Sequence, residues 1–248
     1  QNHFLEECLR QLAYVNRLLW PVFKDNVFDI RRNKFGFQGV NSTLVYNKFE
    51  GQIHTGMMMK GLLKKAQESG VEVFFGAEVS EFKKGELRLT NGAIIPTENI
   101  AICTNGFGGK FGFQEVKPAR AQVLITEEIP DLKLKGTFHL DEGYYYFRNI
   151  GKRILLGGGR NLDFSTEETS EFGCTSLIQN RLDQLLKEVI HPQTKLKVEQ
   201  RWSGIMGVGS QKKPIIKKVS PGIYCGLRLG GMGVALGSQV GSDLANLI

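Results

Sequence analysis

Leucines recur at helical spacing near the start of the chain. Leu5, Leu9, Leu12 and Leu19 predict an amphipathic helix over 4–19, with Glu6 and Glu7 in its first turn. Residues 35–50 alternate loosely and end at Gly51, which predicts a hairpin. Thr55 then caps a helix over 57–68, whose Met58, Met59, Leu62, Leu63 and Ala66 lie on one side and whose stop is Gly70. Val71-Glu72-Val73-Phe74-Phe75 follows directly and predicts a strand, half of a βαβ crossover. Residues 78–95 read as a meander turning at Asn91-Gly92. Ile100-Ala101-Ile102-Cys103 has the fully apolar character of a buried parallel strand.

The pattern changes at Lys117-Pro118. From there to about 219 the runs ARAQVLIT, GTFHL, GYYYFR, RILLGGG and KVEQRWSGIM predict antiparallel strands. One helix interrupts them over 173–190, marked by Leu177, Ile178, Arg181, Leu182, Leu185, Leu186 and Val189 and closed by His191-Pro192. Residues 222–248 return to a strand, a glycine turn and a helix. The expected fold class is therefore α/β plus α+β. An incomplete Rossmann-like nucleotide-binding layer (53–116 and 222–248) is interleaved with a mostly antiparallel substrate domain with flanking helices (1–52 and 117–221).

Composition narrows the function. The chain has 248 residues, 41% of them hydrophobic and 23% charged, as a globular protein does. Its net charge is +7, but the lysines stand in scattered pairs such as Lys64-Lys65 and Lys217-Lys218. They form no stripe interleaved with aromatics, so no nucleic-acid partner is expected, and the surplus suits an anionic substrate or cofactor. Cys8, Cys103, Cys174 and Cys225 are far apart and lack metal-ligand spacing. Cys103 and Cys225 read as small buried hydrophobes, and a reducing, cytoplasmic setting with no membrane span is expected. The chain opens on Gln1 inside helix-like sequence, so a segment upstream is expected.

The stretch GLRLGGMGVALGS at 226–238 carries the clearest chemistry. Gly231-x-Gly233-x-x-x-Gly237 approximates a dinucleotide fingerprint, but no second strand with a ribose-binding acid follows it. It reads either as the returning half of a nucleotide site or as a helix start with packing glycines.

The order of segments resembles the flavin-dependent amine and amino-acid oxidoreductases that include D-amino-acid, glycine and sarcosine oxidases. The resemblance runs from Gly51 almost to the end. It is carried by GQIHT and GVEVFFGAEV, by IAICTNGF, by VKPARAQVLIT (with Ala121 where a Gly is usual), by GYYYFRNIGKRILLGGGRN and by the closing run from RWSGIM to LANLI. It implies FAD, held non-covalently, since 207–219 contains no cysteine. It further implies hydride transfer from the carbon beside an amine to the flavin N5. The family's opening strand–G-x-G-x-x-G–helix has no counterpart in 1–50, so the chain is expected to be about the C-terminal two thirds of such an enzyme, with flavin binding weakened or lost.

By this resemblance Gly230, Gly231, Met232, Gly233 and Val234 face the flavin ring, Thr104, Asn105 and Gly106 lie near the diphosphate or ribitol, and the Val79 backbone meets the adenine. Tyr144, Tyr146 and Arg148 share a strand face by alternation and suit a substrate carboxylate, although an arginine snorkelling over aromatic core fits the same pattern. Arg228 is the other candidate clamp. Met206 stands where amino-acid-binding relatives carry an arginine, which leaves room for a larger or less acidic amine. His54, His139 and Lys213 are further polar candidates. The expected ligand is a small amine or amino acid. The rival readings are a non-catalytic domain that recognises an anionic ligand, and an NAD(P)-binding enzyme.

Overall fold

The computed structural model describes residues 2–248. In chain order the elements are α1 (Asn2–Phe23), β1 (Phe28–Arg32), β2 (Thr43–Asn47), α2 (Thr55–Glu68), β3 (Val79–Lys83), β4 (Glu86–Leu89), β5 (Ile94–Pro96) and β6 (Ile100–Ile102). A 3-10 turn (Asn105–Phe111) precedes β7 (Lys117–Thr126), β8 (Thr137–Leu140), β9 (Tyr145–Ile150) and β10 (Arg153–Gly158). Then come α3 (Ser176–Leu185), prolonged by a π-turn over Leu186–Ile190, β11 (Val198–Val208), β12 (Ile215–Ser220), β13 (Ile223–Leu227) and α4 (Gly233–Ala245). This is a mixed α/β chain in which antiparallel sheets predominate.

Two compact units divide it. The first comprises the chain up to Ile53 with Gln122–Asp163 and Gly173–Ser203; the second comprises His54–Ala121, Phe164–Phe172 and Gly204–Ile248.

The first unit is built on a five-stranded sheet in the order β11-β7-β10-β9-β8. Alternation along β9 sends Tyr145 and Phe147 into the core, where they are 2% and 5% exposed. There they join Leu124, Ile154 and Leu156 of the sheet and Ile178, Leu182, Leu185 and Leu186 of the helix. Gln122 is buried with its amide fully used. It donates to Thr175 Oγ1 at 2.9 Å and accepts from the Thr175 N–H at 2.9 Å and from Gln179 Nε2 at 3.1 Å. Those bonds tie β7 to the start of α3. The hairpin expected over 35–50 forms earlier, between β1 and β2. Asn16 sets its entry by exchanging two 2.8 Å bonds with the Phe28 backbone. Because α1 starts at Asn2, Glu6 and Glu7 fall beyond its first turn, and Glu7 instead accepts from Arg10 and Gln11. Leu177 points outward from α3.

The second unit holds two three-stranded sheets, β12-β13-β6 and β3-β4-β5. β13 runs parallel to β6, pairing Ile223 with Ile100 and Cys225 with Ile102. Their apolar run packs on Phe113, Val116 and Ile215. Gly226 lets α4 close on β13, because a Cβ there would stand 3.1 Å from a Leu244 methyl. The Asn91-Gly92 turn forms as expected, with Gly92 at φ 86°.

Three expectations fail in this unit. Val71–Phe75 is not a strand: no described strand pairs with it, and Phe74 and Phe75 stand 69% and 78% exposed. An apolar run without a hydrogen-bonded neighbour has no ladder to join. The cap of α2 is His54, whose Nδ1 accepts the Met57 N–H at 3.3 Å, because Thr55 already has helical conformation. Cys225 is buried, but Cys103 lies one residue past the end of β6 and is exposed. No helix among the described residues is long and apolar enough to cross a membrane.

Candidate functional site

The parallel pair fixes where chemistry can gather in the second unit. In open parallel sheets, ligands sit beyond the carboxyl ends of the strands. β6 ends at Ile102 and leads into Thr104-Asn105-Gly106; β13 ends at Leu227 and leads into the turn that opens α4. The two segments are brought together with the end of β11. Leu229 N–H donates to Asn105 Oδ1 at 3.0 Å, and Gly230 N–H donates to the Gly207 carbonyl at 2.9 Å. Gly106 allows the approach: a Cβ there would lie 2.8 Å from the Met206 carbonyl oxygen and 2.8 Å from an Ile205 methyl.

The turn presents backbone donors. Arg228 and Gly230 take left-handed conformations at φ 61° and 58°. The N–H groups of Gly231, Gly233 and Val234 have no acceptor among the described residues. They stand at the N-terminus of a 13-residue helix, where the backbone dipoles leave a partial positive charge. Gly230 and Gly231 have open space where a side chain would begin, and Met232 and Val234 are exposed. Thr104, which precedes Asn105, has its Oγ1 buried with no hydrogen-bond partner among the described residues. An orphan hydroxyl and a cluster of unfilled backbone donors suit a group rich in hydrogen-bond acceptors. No G-x-G-x-x-G occurs in the 248 residues, and the acceptor-free donors of this turn are compatible with part of a flavin dinucleotide.

Two further second-unit candidates, Arg228 and His54, also hold local structure. Arg228 Nε donates to the Lys213 carbonyl at 2.8 Å, and its Cδ packs over Gly209. Met206 is half-buried on β11. His54 is committed through Nδ1 to the cap of α2. Val79 opens β3 opposite Leu89.

In the first unit, Tyr146 and Arg148 share the face of β9 that is turned away from the core. Tyr144 stands just before the strand, exposed, in a turn closed by its N–H on the Asp141 carbonyl. Gly157 makes room for the Tyr146 ring, since a Cβ there would lie 2.6 Å from the ring Cζ. Burial lifts the Tyr146 phenol above its ordinary value, and the Arg148 charge partly offsets this. Arg148 Nη1 donates to the Ile53 carbonyl. His139 lies on β8 paired with Tyr146, also exposed.

The sequence profile of the family described as FAD dependent oxidoreductase (DAO) matches residues 23–247. The chain belongs to this family. No curated protein matches it by sequence. Solved structures share the family's fold. The glycine oxidase from Geobacillus kaustophilus has a TM-score of 0.78 at 17% identity, over 98% of this chain and 68% of its own. The glycine oxidase from Bacillus cereus ATCC 14579 gives 0.76 at 13% identity, over 98% and 70%. The L-proline dehydrogenase from P. horikoshii gives 0.68 at 18% identity over 83% of this chain, which spans 58% of that enzyme's length. Reading glycine clusters singly missed Gly207 and Leu229 as part of the site. The signal was that 106–112, 204–209 and 226–233 are all glycine-rich, but only the fold shows that they meet.

Proposed function

We propose that this chain is the flavin-ring-facing and substrate-binding part of an FAD-dependent enzyme that oxidises the C–N bond of an amine or amino acid. One observation carries the reading. The turn after β13 leaves the N–H groups of Gly231, Gly233 and Val234 without acceptors among the described residues at a helix N-terminus, and it is bonded through Leu229 to Asn105, the residue that follows the unpartnered Thr104. When bound, FAD supplies the acceptor for hydride from the carbon beside the amine. The N–H groups of Gly231, Gly233 and Val234 would hold the bound cofactor and stabilise negative charge on it. In the first unit, Arg148 keeps one guanidinium nitrogen on the Ile53 carbonyl and offers its remaining N–H groups to a substrate carboxylate. Tyr146, held protonated by burial, supplies a hydroxyl donor on the same strand face. As the resemblance to the family implies, FAD would be held without a covalent bond, since 207–219 contains no cysteine.

Titration of FAD into the protein, followed by flavin fluorescence and visible absorbance, tests the reading. Saturable quenching is expected, with affinity lowered by Val234→Pro, which removes one outward N–H. No spectral change at any concentration, in this chain and in a version extended upstream, would reject it.

A further inference from the structure

We infer that Asn105 is the positioning residue of the flavin-facing turn, holding it from a loop 124 residues away in sequence. This rests on the flavin reading above and assigns Asn105 a different task from direct contact with the cofactor.

The geometry is a two-bond latch. Asn105 Oδ1 accepts the Leu229 N–H at 3.0 Å, and the carbonyl of Gly207 accepts the Gly230 N–H at 2.9 Å. Two successive N–H groups of the turn are thereby drawn inward, and those of Gly231, Gly233 and Val234 are left for a ligand. The turn needs such a restraint. Left-handed residues bracket Leu229 on both sides, and one of them, Arg228, carries a side chain, so its conformation is strained and surrounding contacts must hold it.

Residue types at the latch match the task. Asn105 is itself left-handed at φ 43°, a conformation that glycine and asparagine tolerate best. Glycine there would keep the backbone but supply no acceptor. At 207 the requirement is reversed. A Cβ would stand 2.6 Å from Asn105 Oδ1 and 3.0 Å from the Asn105 carbonyl carbon, so only glycine lets the carboxamide lie against the chain.

Amide hydrogen exchange on the chain, without cofactor, reads the latch directly. Asn105→Gly removes the acceptor and keeps the backbone conformation; exchange at Leu229 and Gly230 should rise roughly tenfold, the effect of one lost hydrogen bond. Asn105→Asp keeps an acceptor oxygen and should exchange like the parent. Gly207→Ala should loosen the same two amides from the other side. Parent-like exchange in both Asn105→Gly and Gly207→Ala overturns the latch. FAD titration separates the two ideas. Weaker binding by Asn105→Gly, roughly tenfold, supports positioning, and unchanged binding overturns it. If exchange responds but neither the parent nor a version extended upstream binds FAD, the latch stands and the flavin reading fails.

Discussion

Arg120 and Glu167 form a buried bidentate ion pair, with Nε and Nη2 of the arginine each 2.9 Å from a different carboxylate oxygen. Glu167 is wholly inaccessible and Arg120 is 8% exposed. The Arg120 N–H also donates to the Glu167 carbonyl at 2.9 Å, so side chains and backbone together fix the 164–172 segment against β7. Removing the carboxylate leaves the Arg120 charge desolvated without an opposite charge, with only longer bonds to the Glu171 and Thr166 carbonyls, at 3.4 and 3.5 Å, among those described. Glu167→Leu should therefore cost about 3–5 kcal/mol in urea unfolding. Pairing it with Arg120→Met should recover much of that loss, because the penalty lies in the orphaned charge. A single-variant loss below about 1 kcal/mol would mean that water reaches the pair.

Gly158 occupies a position that no other residue can fill. Its φ is 120°, and a Cβ would lie 2.0 Å from the Tyr144 carbonyl oxygen and 2.8 Å from the Tyr145 Cα. Both obstacles are backbone at the start of β9 and just before it, and cannot swing aside. Gly158→Ala should separate the ends of β9 and β10 and destabilise the protein by about 2 kcal/mol or more. Gly151→Ala is the matched control. It also places alanine at positive φ, but in open space, so only the conformational cost of about 1–2 kcal/mol remains.

The sequence made these elements legible unevenly, for physical reasons. β13 was readable because a strand buried on both faces must be apolar throughout, and Ile223–Leu227 is; β6 carries the same apolar run, although Ala101 on its other face is exposed. Residues 71–75 carry the same signal, yet pairing decides whether an apolar run becomes a strand, and pairing is not written in the run itself. Alternation placed Tyr146 and Arg148 on one face correctly, but it could not show that β9 begins at Tyr145, which leaves Tyr144 in a turn. Histidine is an unusual helix cap, so Thr55 looked like the cap of α2 although His54 performs the task. The meeting of Asn105, Gly207 and Leu229 depends on contacts across more than 100 residues, which local pattern does not encode.

Tyr146 gives a pH-dependent signature. Burial favours the neutral phenol, so the folded protein holds this proton to higher pH than the unfolded chain does. The stabilisation is complete below the ordinary tyrosine value of about 10 and is lost as pH rises through the folded value. Tyrosinate absorbance should show one tyrosine ionising late, with its loss in Tyr146→Phe making the assignment. Arg148→Met removes the charge that lowers this value and should delay the ionisation further. Ionisation of all the tyrosines together near pH 10 would show that the Tyr146 hydroxyl is solvated.

Arg148 distinguishes an amino-acid substrate from a simple amine. Under the proposed function its guanidinium binds a carboxylate, one nitrogen being kept on the Ile53 carbonyl. A bidentate charged pair contributes roughly 1.5–3 kcal/mol, about ten- to a hundredfold in binding. In flavin-loaded protein, Arg148→Met should raise KM for an α-amino acid by that factor. The corresponding amine without a carboxylate should be oxidised with unchanged KM, since it never used the arginine. Arg148→Lys should recover only part of the loss, because an ammonium cannot reproduce the planar fork. If Arg148→Met raises KM equally for both substrates, Arg148 shapes the site through Ile53 and the carboxylate is bound elsewhere. Arg228 is then the next residue to test, even though its Nε is already engaged with the Lys213 carbonyl.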